Sequence, residues 1–205
     1  MSQVMTKSEL RQIYLRKRRS LSDGELVLQS SQIAESFFES IDLITVKTVH
    51  TFIPIKKFNE IDTSFYLQEN LGWLFSHSNG CPARWSRKRF NDTFCFYIQN
   101  GLVENRWGIR EPADGKKVDP AAIDLVIVPL LCFDERGYRV GYGKGLYDKF
   151  LARCRPDCIK VGLGYFPPVA GITDVEDYDI KLDQCITPDK IFTFWQKRRG
   201  CLKSP

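Results

Sequence analysis

The 205-residue chain carries 30 Lys and Arg against 25 Asp and Glu, a net charge of +5, with 43% hydrophobic and 27% charged residues. That length suits one domain with a sizeable core, and the composition reads as ordinary soluble globular protein. No apolar run approaches the ~20 residues of a membrane span, and the modest positive charge suits an anionic ligand without by itself indicating nucleic acid.

Taken in order, MSQVMTKSELRQIYLRKRRS lacks the apolar middle of a signal peptide, so cytoplasmic residence is expected. Thr6 and Glu9 form a capping-box pattern that predicts a basic helix to about Arg19, with an apolar stripe of Leu10, Ile13 and Tyr14. Ser22 and Glu25 repeat the pattern before a second helix marked by Leu26, Ile33 and Phe37. TVHTFIP, residues 48–54, predicts a strand stopped by Pro54, and a short helix is expected after Asp62. GWLFSH (72–77) and TFCFYIQ (93–99) are further strand candidates. IDLVIVPLL (123–131) is the most hydrophobic stretch and fits a strand buried on both faces of a parallel sheet. Leu146, Phe150, Leu151 and Cys154 then have helical spacing, and CIKVGLGY (158–165) is another buried strand. The alternation predicts an α/β fold, a mostly parallel sheet flanked by helices. One domain over residues 1–195 is expected, followed by a basic tail over 196–205. Seven cysteines, none at CxxC spacing, point to reduced thiols rather than a disulfide framework or zinc site.

After the buried strand at 123–131, and running into the helix, lies GYRVGYGKGLYDKF, residues 137–150. A glycine loop after a buried strand lets backbone N–H groups approach phosphate oxygens. Gly141, Gly143 and Gly145 would remove side-chain bulk, Arg139 and Lys144 would supply charge, and Asp148 in the first helical turn could hold Mg²⁺. The spacing is neither GxxxxGK[ST] nor GxGxxG. The alternative is a mobile turn with Lys144 and Asp148 as a surface pair. The residues alone leave both open.

FDERGYRVGYGKGLYDKFL, residues 133–151, resembles the signature of the 5-formyltetrahydrofolate cyclo-ligase family. Phe133, Asp134, Gly137, Arg139, Gly141, Gly143, Gly145, Tyr147 and Asp148 match, while Val140 replaces a leucine and Leu146 the first of two tyrosines. Lys7, Leu10 and Arg11, NEIDT (59–63), RWGIREP (106–112) and YDIKLDQCIT (178–187) match further segments in the family's order, with Tyr178 standing for a histidine and Asp179 and Asp183 matching. The resemblance implies a fold of the sugar-isomerase and CoA-transferase type and ATP- and Mg²⁺-dependent conversion of 5-formyltetrahydrofolate to 5,10-methenyltetrahydrofolate. It implies Lys7, Arg11, Arg139, Gly141, Tyr142, Gly143, Lys144 and Gly145 at ATP, with Arg139, Lys144 and Tyr147 active in the chemistry. Glu60, Trp107 and Tyr147 would meet the folate, which can carry a polyglutamate tail, and Asp148 and Asp179 would hold Mg²⁺. A monomer with no membrane or nucleic-acid partner is expected. The basic stretch ARWSRKRF (83–90) fits a loop near the folate's glutamate tail, an RNA contact or a solvated charge run. Rival functions are a nucleic-acid-binding module and a sugar-phosphate enzyme of the same fold.

Overall fold

The computed structural model describes residues 4–44, 46–64, 84–89, 92–96, 102–104, 110–112 and 116–194. Both predicted capping boxes are formed. Helix α1 (Lys7–Arg19) starts with Thr6 Oγ1 accepting from Glu9 N, while the Glu9 carboxylate accepts from Thr6 N at 2.9 Å. Helix α2 (Asp23–Ser40) repeats this with Ser22 and Glu25. Each box pairs helix-end N–H groups that have no partner within the helix. The hydrogen bonds favour the ionised carboxylates, so Glu9 and Glu25 are held below the usual carboxylate range.

The strands follow in chain order as β1 (Thr48–His50), β2 (Arg84–Arg89), β3 (Asp92–Phe96), β4 (Leu102–Glu104), β5 (Arg110–Pro112), β6 (Lys116–Lys117), β7 (Leu125–Pro129), β8 (Cys132–Phe133) and β9 (Arg139–Val140). After helix α3 (Leu146–Leu151) come β10 (Ile159–Leu163), β11 (Gln184–Ile186) and β12 (Ile191–Thr193). Eight of these strands form one sheet in the order β12-β11-β10-β7-β1-β2-β3-β6. Its centre, from β11 through β10, β7 and β1 to β2, is parallel; β12, β3 and β6 join antiparallel at the margins.

Strand β7 is central because its side chains are apolar on both faces. Leu125 and Ile127 point into a core with Ile33, Ala34 and Phe37 of α2. Val126 and Val128 point into the opposite core with Phe150 and Leu151 of α3. A third cluster places Leu10 and Tyr14 of α1 against Leu131, Cys132, Val140 and Ile172. Gly162 of β10 lets this packing close, because a Cβ there would lie 2.6 Å from Leu182 and 2.7 Å from Leu130.

Some expectations change. Strand β1 pairs only as far as His50, and the carbonyl of Phe52 is taken by the Thr63 hydroxyl at 2.7 Å instead of a strand neighbour. Helix α3 stops at Leu151, before Cys154; the chain turns through Pro156, whose ring cannot continue a helix. Residues 84–89, within the basic stretch that fitted a loop near the glutamate tail, an RNA contact or a solvated charge run, are strand β2, paired parallel to β1 with Val49 opposite Trp85. The candidate at 72–77, all beyond Ser64 of the helix expected after Asp62, residues 97–99 and the tail at 196–205 lie outside the described residues. Among the described residues no helix is long and apolar enough to cross a membrane.

Ser22→Ala is expected to lower the unfolding free energy by about 1 kcal/mol in denaturant melts at neutral pH. Glu25 has a lowered folded-state pKa, so its contribution is full above its ordinary value of 4.5 and fades as pH falls below that value. The stability gap between the wild type and Glu25→Gln should therefore close on acidification. A gap that stays constant from neutral pH to pH values well below 4.5 would show that the carboxylate charge plays no part in the cap.

Candidate active site

Strands β1 and β7 are parallel, so their C-terminal ends lie on one edge of the sheet. Open α/β sheets bind ligands at that edge. The chain leaves β7 into the β8–β9 hairpin, whose turn is organised by Asp134, a fully buried carboxylate. It accepts from the backbone N–H of Arg136 at 3.0 Å and of Tyr138 at 2.9 Å, and from the Arg136 guanidinium at 2.9 and 2.7 Å. Gly137 has φ +86°, and a Cβ there would lie 2.7 Å from the Phe194 ring. Phe133, Asp134 and Gly137 thus build the hairpin that delivers Arg139.

Arg139 Nη2 donates to Asp148 Oδ1 at 2.8 Å, and its Nη1 donates to the carbonyl of Ile180. Asp148 Oδ1 also accepts from Ile180 N at 3.1 Å. The Arg139 side chain is only 5% exposed, so this pair is a largely buried clasp across the glycine loop. A partner near Lys7 completes a second clasp. Met5 bridges to Ile172, which sets the start of α1 beside residues 174–179. Lys7 N donates to Asp174 Oδ1 at 2.6 Å, and Lys7 Nζ pairs with Asp179 Oδ2, which also accepts from Glu176 N at 2.7 Å. Asp148 and Asp179 come together because Ile180 follows Asp179 directly. The bonds just described engage one oxygen of each carboxylate.

Within the loop the glycines are not equivalent. Gly143 has φ +87° and Gly145 φ +60°, a region that side chains with a Cβ rarely adopt. Gly143 also faces Arg11, whose Cζ would lie 3.0 Å from an added Cβ. Gly141 meets nothing within 4 Å and leaves open space. Arg11, one turn after Lys7, donates from Nε to the Gly141 carbonyl at 2.9 Å. Helix α3 is six residues long, and its N-cap Gly145 supplies no side-chain cap. Positive charge at the loop comes from side chains: Lys7, Arg11 and the exposed Lys144.

Tyr142 connects the loop to Glu60. Its hydroxyl donates to Glu60 Oε1 at 2.7 Å and accepts from Arg18 Nη1 at 3.0 Å. Glu60 Oε2 accepts from Ile55 N at 2.8 Å. Burial is the main cause that pushes the Tyr142 phenol far above its ordinary value, with the Glu60 charge adding to it. Tyr142 therefore stays a donor throughout the working pH range. Tyr147 turns toward His50, with 3.4 Å between its hydroxyl and Nε2, and its ring meets those of His50 and Phe150 edge-on. Trp107 lies outside the described residues.

The structure thus brings Lys7, Arg11, Glu60, Arg139, Gly141, Tyr142, Gly143, Gly145, Asp148 and Asp179 into one connected set. Two residues were not expected at the site. Arg18 is buried and also donates to the carbonyl of Leu130, just past β7. His50 is buried at the end of β1. Arg18 lies seven residues after Arg11, the spacing of one helical face, and that signal was available in the sequence.

The model of the 5-formyltetrahydrofolate cyclo-ligase family matches residues 3–188. The chain is 28% identical to the 5-formyltetrahydrofolate cyclo-ligase of Mycoplasma genitalium over 185 residues, covering 89% of this chain and 99% of the relative. It is 30% identical to the 5-formyltetrahydrofolate cyclo-ligase of Mus musculus over 196 residues, covering 89% and 92%. The NMR structure of 5,10-methenyltetrahydrofolate synthetase from Aquifex aeolicus superimposes with a TM-score of 0.67 at 26% identity, covering 95% of each chain. With a match running over nearly the whole fold, glycine loop included, the chain belongs to the 5-formyltetrahydrofolate cyclo-ligase family.

Proposed function

We propose that the chain converts 5-formyltetrahydrofolate to 5,10-methenyltetrahydrofolate, with ATP going to ADP and phosphate. One observation carries this reading beyond the family match. Helix α1, the Glu60 turn and the glycine loop are remote in sequence, yet they meet through Arg11–Gly141, Arg18–Tyr142 and Tyr142–Glu60. A phosphate-shaped loop and a carboxylate suited to a pterin or formamide N–H stand side by side.

The chemistry needs that proximity. The formyl oxygen attacks the γ-phosphorus, its bond to ADP breaks, and the formamide becomes an activated imidate. N10 of the folate attacks the formyl carbon and loses its proton, and the N5 lone pair expels phosphate to leave the cyclic methenyl cation. The protein must hold two substrates in line and offset developing charge. Lys7, Arg11 and Lys144 would offset phosphate charge, the loop N–H groups would orient it, and Glu60 with Tyr147 would hold the folate. Asp148 and Asp179 are hard oxygen donors in adjoining clasps, and one or two such carboxylates with phosphate oxygens and water would suit Mg²⁺. Bound there, Mg²⁺ would neutralise phosphate charge. Arg139 has a different part in this reading: its charge is spent on Asp148, so it shapes the loop and sets the metal carboxylate.

The direct test is absorbance in the methenyl band after mixing protein, ATP, Mg²⁺ and 5-formyltetrahydrofolate. Absorbance that rises only with all components present supports the reading. Salt-sensitive RNA binding with no folate-dependent ATP turnover would replace it.

Gly143→Val is expected to lower kcat/KM at least about tenfold, because a β-branched residue is strained at φ +87° and would displace Arg11. Wild-type turnover in that variant would remove the loop from the ligand site. Asp148→Asn is expected to cost about 3 kcal/mol of stability, since it leaves a buried guanidinium uncompensated. The double variant Arg139→Met, Asp148→Leu should regain much of that stability and none of the turnover. A double variant that is both stable and active would show the clasp to be dispensable for catalysis.

A further inference from the structure

Tyr142 belongs to the glycine loop by sequence and to the Glu60 turn by contact. Its ring packs on Phe58 with centroids 5.3 Å apart, and its hydroxyl has a fixed direction. Arg18 can only donate, so the oxygen accepts from Nη1 and its proton goes to Glu60 Oε1. Arg18 is itself held by the Leu130 carbonyl and by the Tyr165 ring, 5.9 Å from its Cζ. Asn59, in a left-handed conformation at φ 48°, donates to the Arg18 carbonyl at 3.2 Å. The turn carrying Glu60 is therefore tied to α1 and to the loop, and the same helix reaches the loop again through Arg11.

We propose that Tyr142 is a positioning residue that couples the two substrate subsites: an anion seated in the glycine loop fixes Tyr142, and Tyr142 fixes the Glu60 carboxylate for the folate. This rests on the reading of the loop as the nucleotide subsite and Glu60 as a folate contact. The sign of the coupling follows from ordering. Gly141 and Gly143 flank Tyr142, with Gly145 two residues further on, and leave its backbone few side-chain restraints. A nucleotide phosphate on the loop N–H groups restricts that backbone. The second substrate then meets a carboxylate already held and loses less conformational freedom on binding. Linkage requires the reverse effect to be equal: folate on Glu60 tightens nucleotide binding by the same factor.

The amide of Ile55 supplies a local readout, because it donates to Glu60 Oε2 and its exchange with solvent reports how firmly that carboxylate is held. Two measurements on the full chain test the proposal. In calorimetry, a non-hydrolysable ATP analogue with Mg²⁺ is expected to tighten 5-formyltetrahydrofolate binding about tenfold in the wild type. In Tyr142→Phe, which keeps the ring and loses only the hydroxyl, that effect should vanish. The losses in folate affinity from Tyr142→Phe and Glu60→Gln should also be less than additive when combined. In hydrogen exchange, the analogue alone should slow exchange at the Ile55 amide of the wild type. This second measurement needs no variant and stands if Tyr142→Phe folds poorly.

Independent binding of the two ligands in the wild type overturns the proposal. So does coupling that persists in Tyr142→Phe, or losses that simply add. If 5-formyltetrahydrofolate and the analogue both fail to bind the wild type, the functional reading falls and the proposal with it. If both bind without coupling, only the proposal falls.

Discussion

The site depends on how helix α1 lies against the glycine loop. A loop with Gly143 and Gly145 at positive φ has little stiffness of its own. Two arginines on one face of α1 restrain it from outside, Arg11 at the Gly141 carbonyl and Arg18 at the Tyr142 hydroxyl. On the same helix the apolar residues Leu10 and Tyr14 bury against Leu131, Cys132 and Val140, at the hairpin from which the loop emerges. Burial fixes the distance between helix and hairpin, and the guanidinium groups convert that distance into a loop shape. Arg18 is itself buried, and Arg11 is partly buried against the loop.

The electrostatics follow from the same arrangement. Lys7 stands at the N-terminal end of α1, where the helix macrodipole disfavours a cation. Thr6 and Glu9 serve the cap, so helix stability does not call for lysine there. The charge is offset from outside the helix, by Asp179 on its side chain and Asp174 on its backbone N–H. At the other flank Arg139 meets Asp148 in largely buried surroundings. Buried ion pairs gain little net stability over apolar packing, because desolvation offsets attraction. Two such clasps beside one glycine loop therefore shape the loop at little net gain in stability.

The sequence made the core elements legible where one physical signal dominates. The capping boxes at Thr6 and Ser22 are local chemistry and formed as read. The doubly buried strand announced itself because both faces of β7 are apolar. What the sequence could not show is partnership across distance. Asp148 reads as a first-turn acid for Mg²⁺ or a surface partner of Lys144, yet it pairs with Arg139, nine residues earlier on a strand. Arg18 reads as one more cation on a solvated helix, yet it is buried and holds a tyrosine 124 residues away. His50 reads as a strand residue, and only the fold brings it to Tyr147. The basic residues 84–89 leave a loop, an RNA contact and a solvated charge run open because charge masks a strand pattern, while the parallel pairing with β1 decides for a strand.

Tyr142 shows why the family motif alone does not explain the loop. Counted as motif, it is a spacer between two glycines. In the fold it is half-buried, donates to Glu60 and packs on Phe58. A spacer with those contacts limits what the loop can become: the glycines on either side supply freedom, and the tyrosine confines that freedom to conformations that keep Glu60 in reach. Phosphoryl transfer to a formamide oxygen needs both substrates aligned at once, and alignment of one is wasted unless the other is held. In the proposed reading, a flexible nucleotide loop tied through the Tyr142 hydroxyl to Glu60 on the folate side would meet both demands with a single side chain.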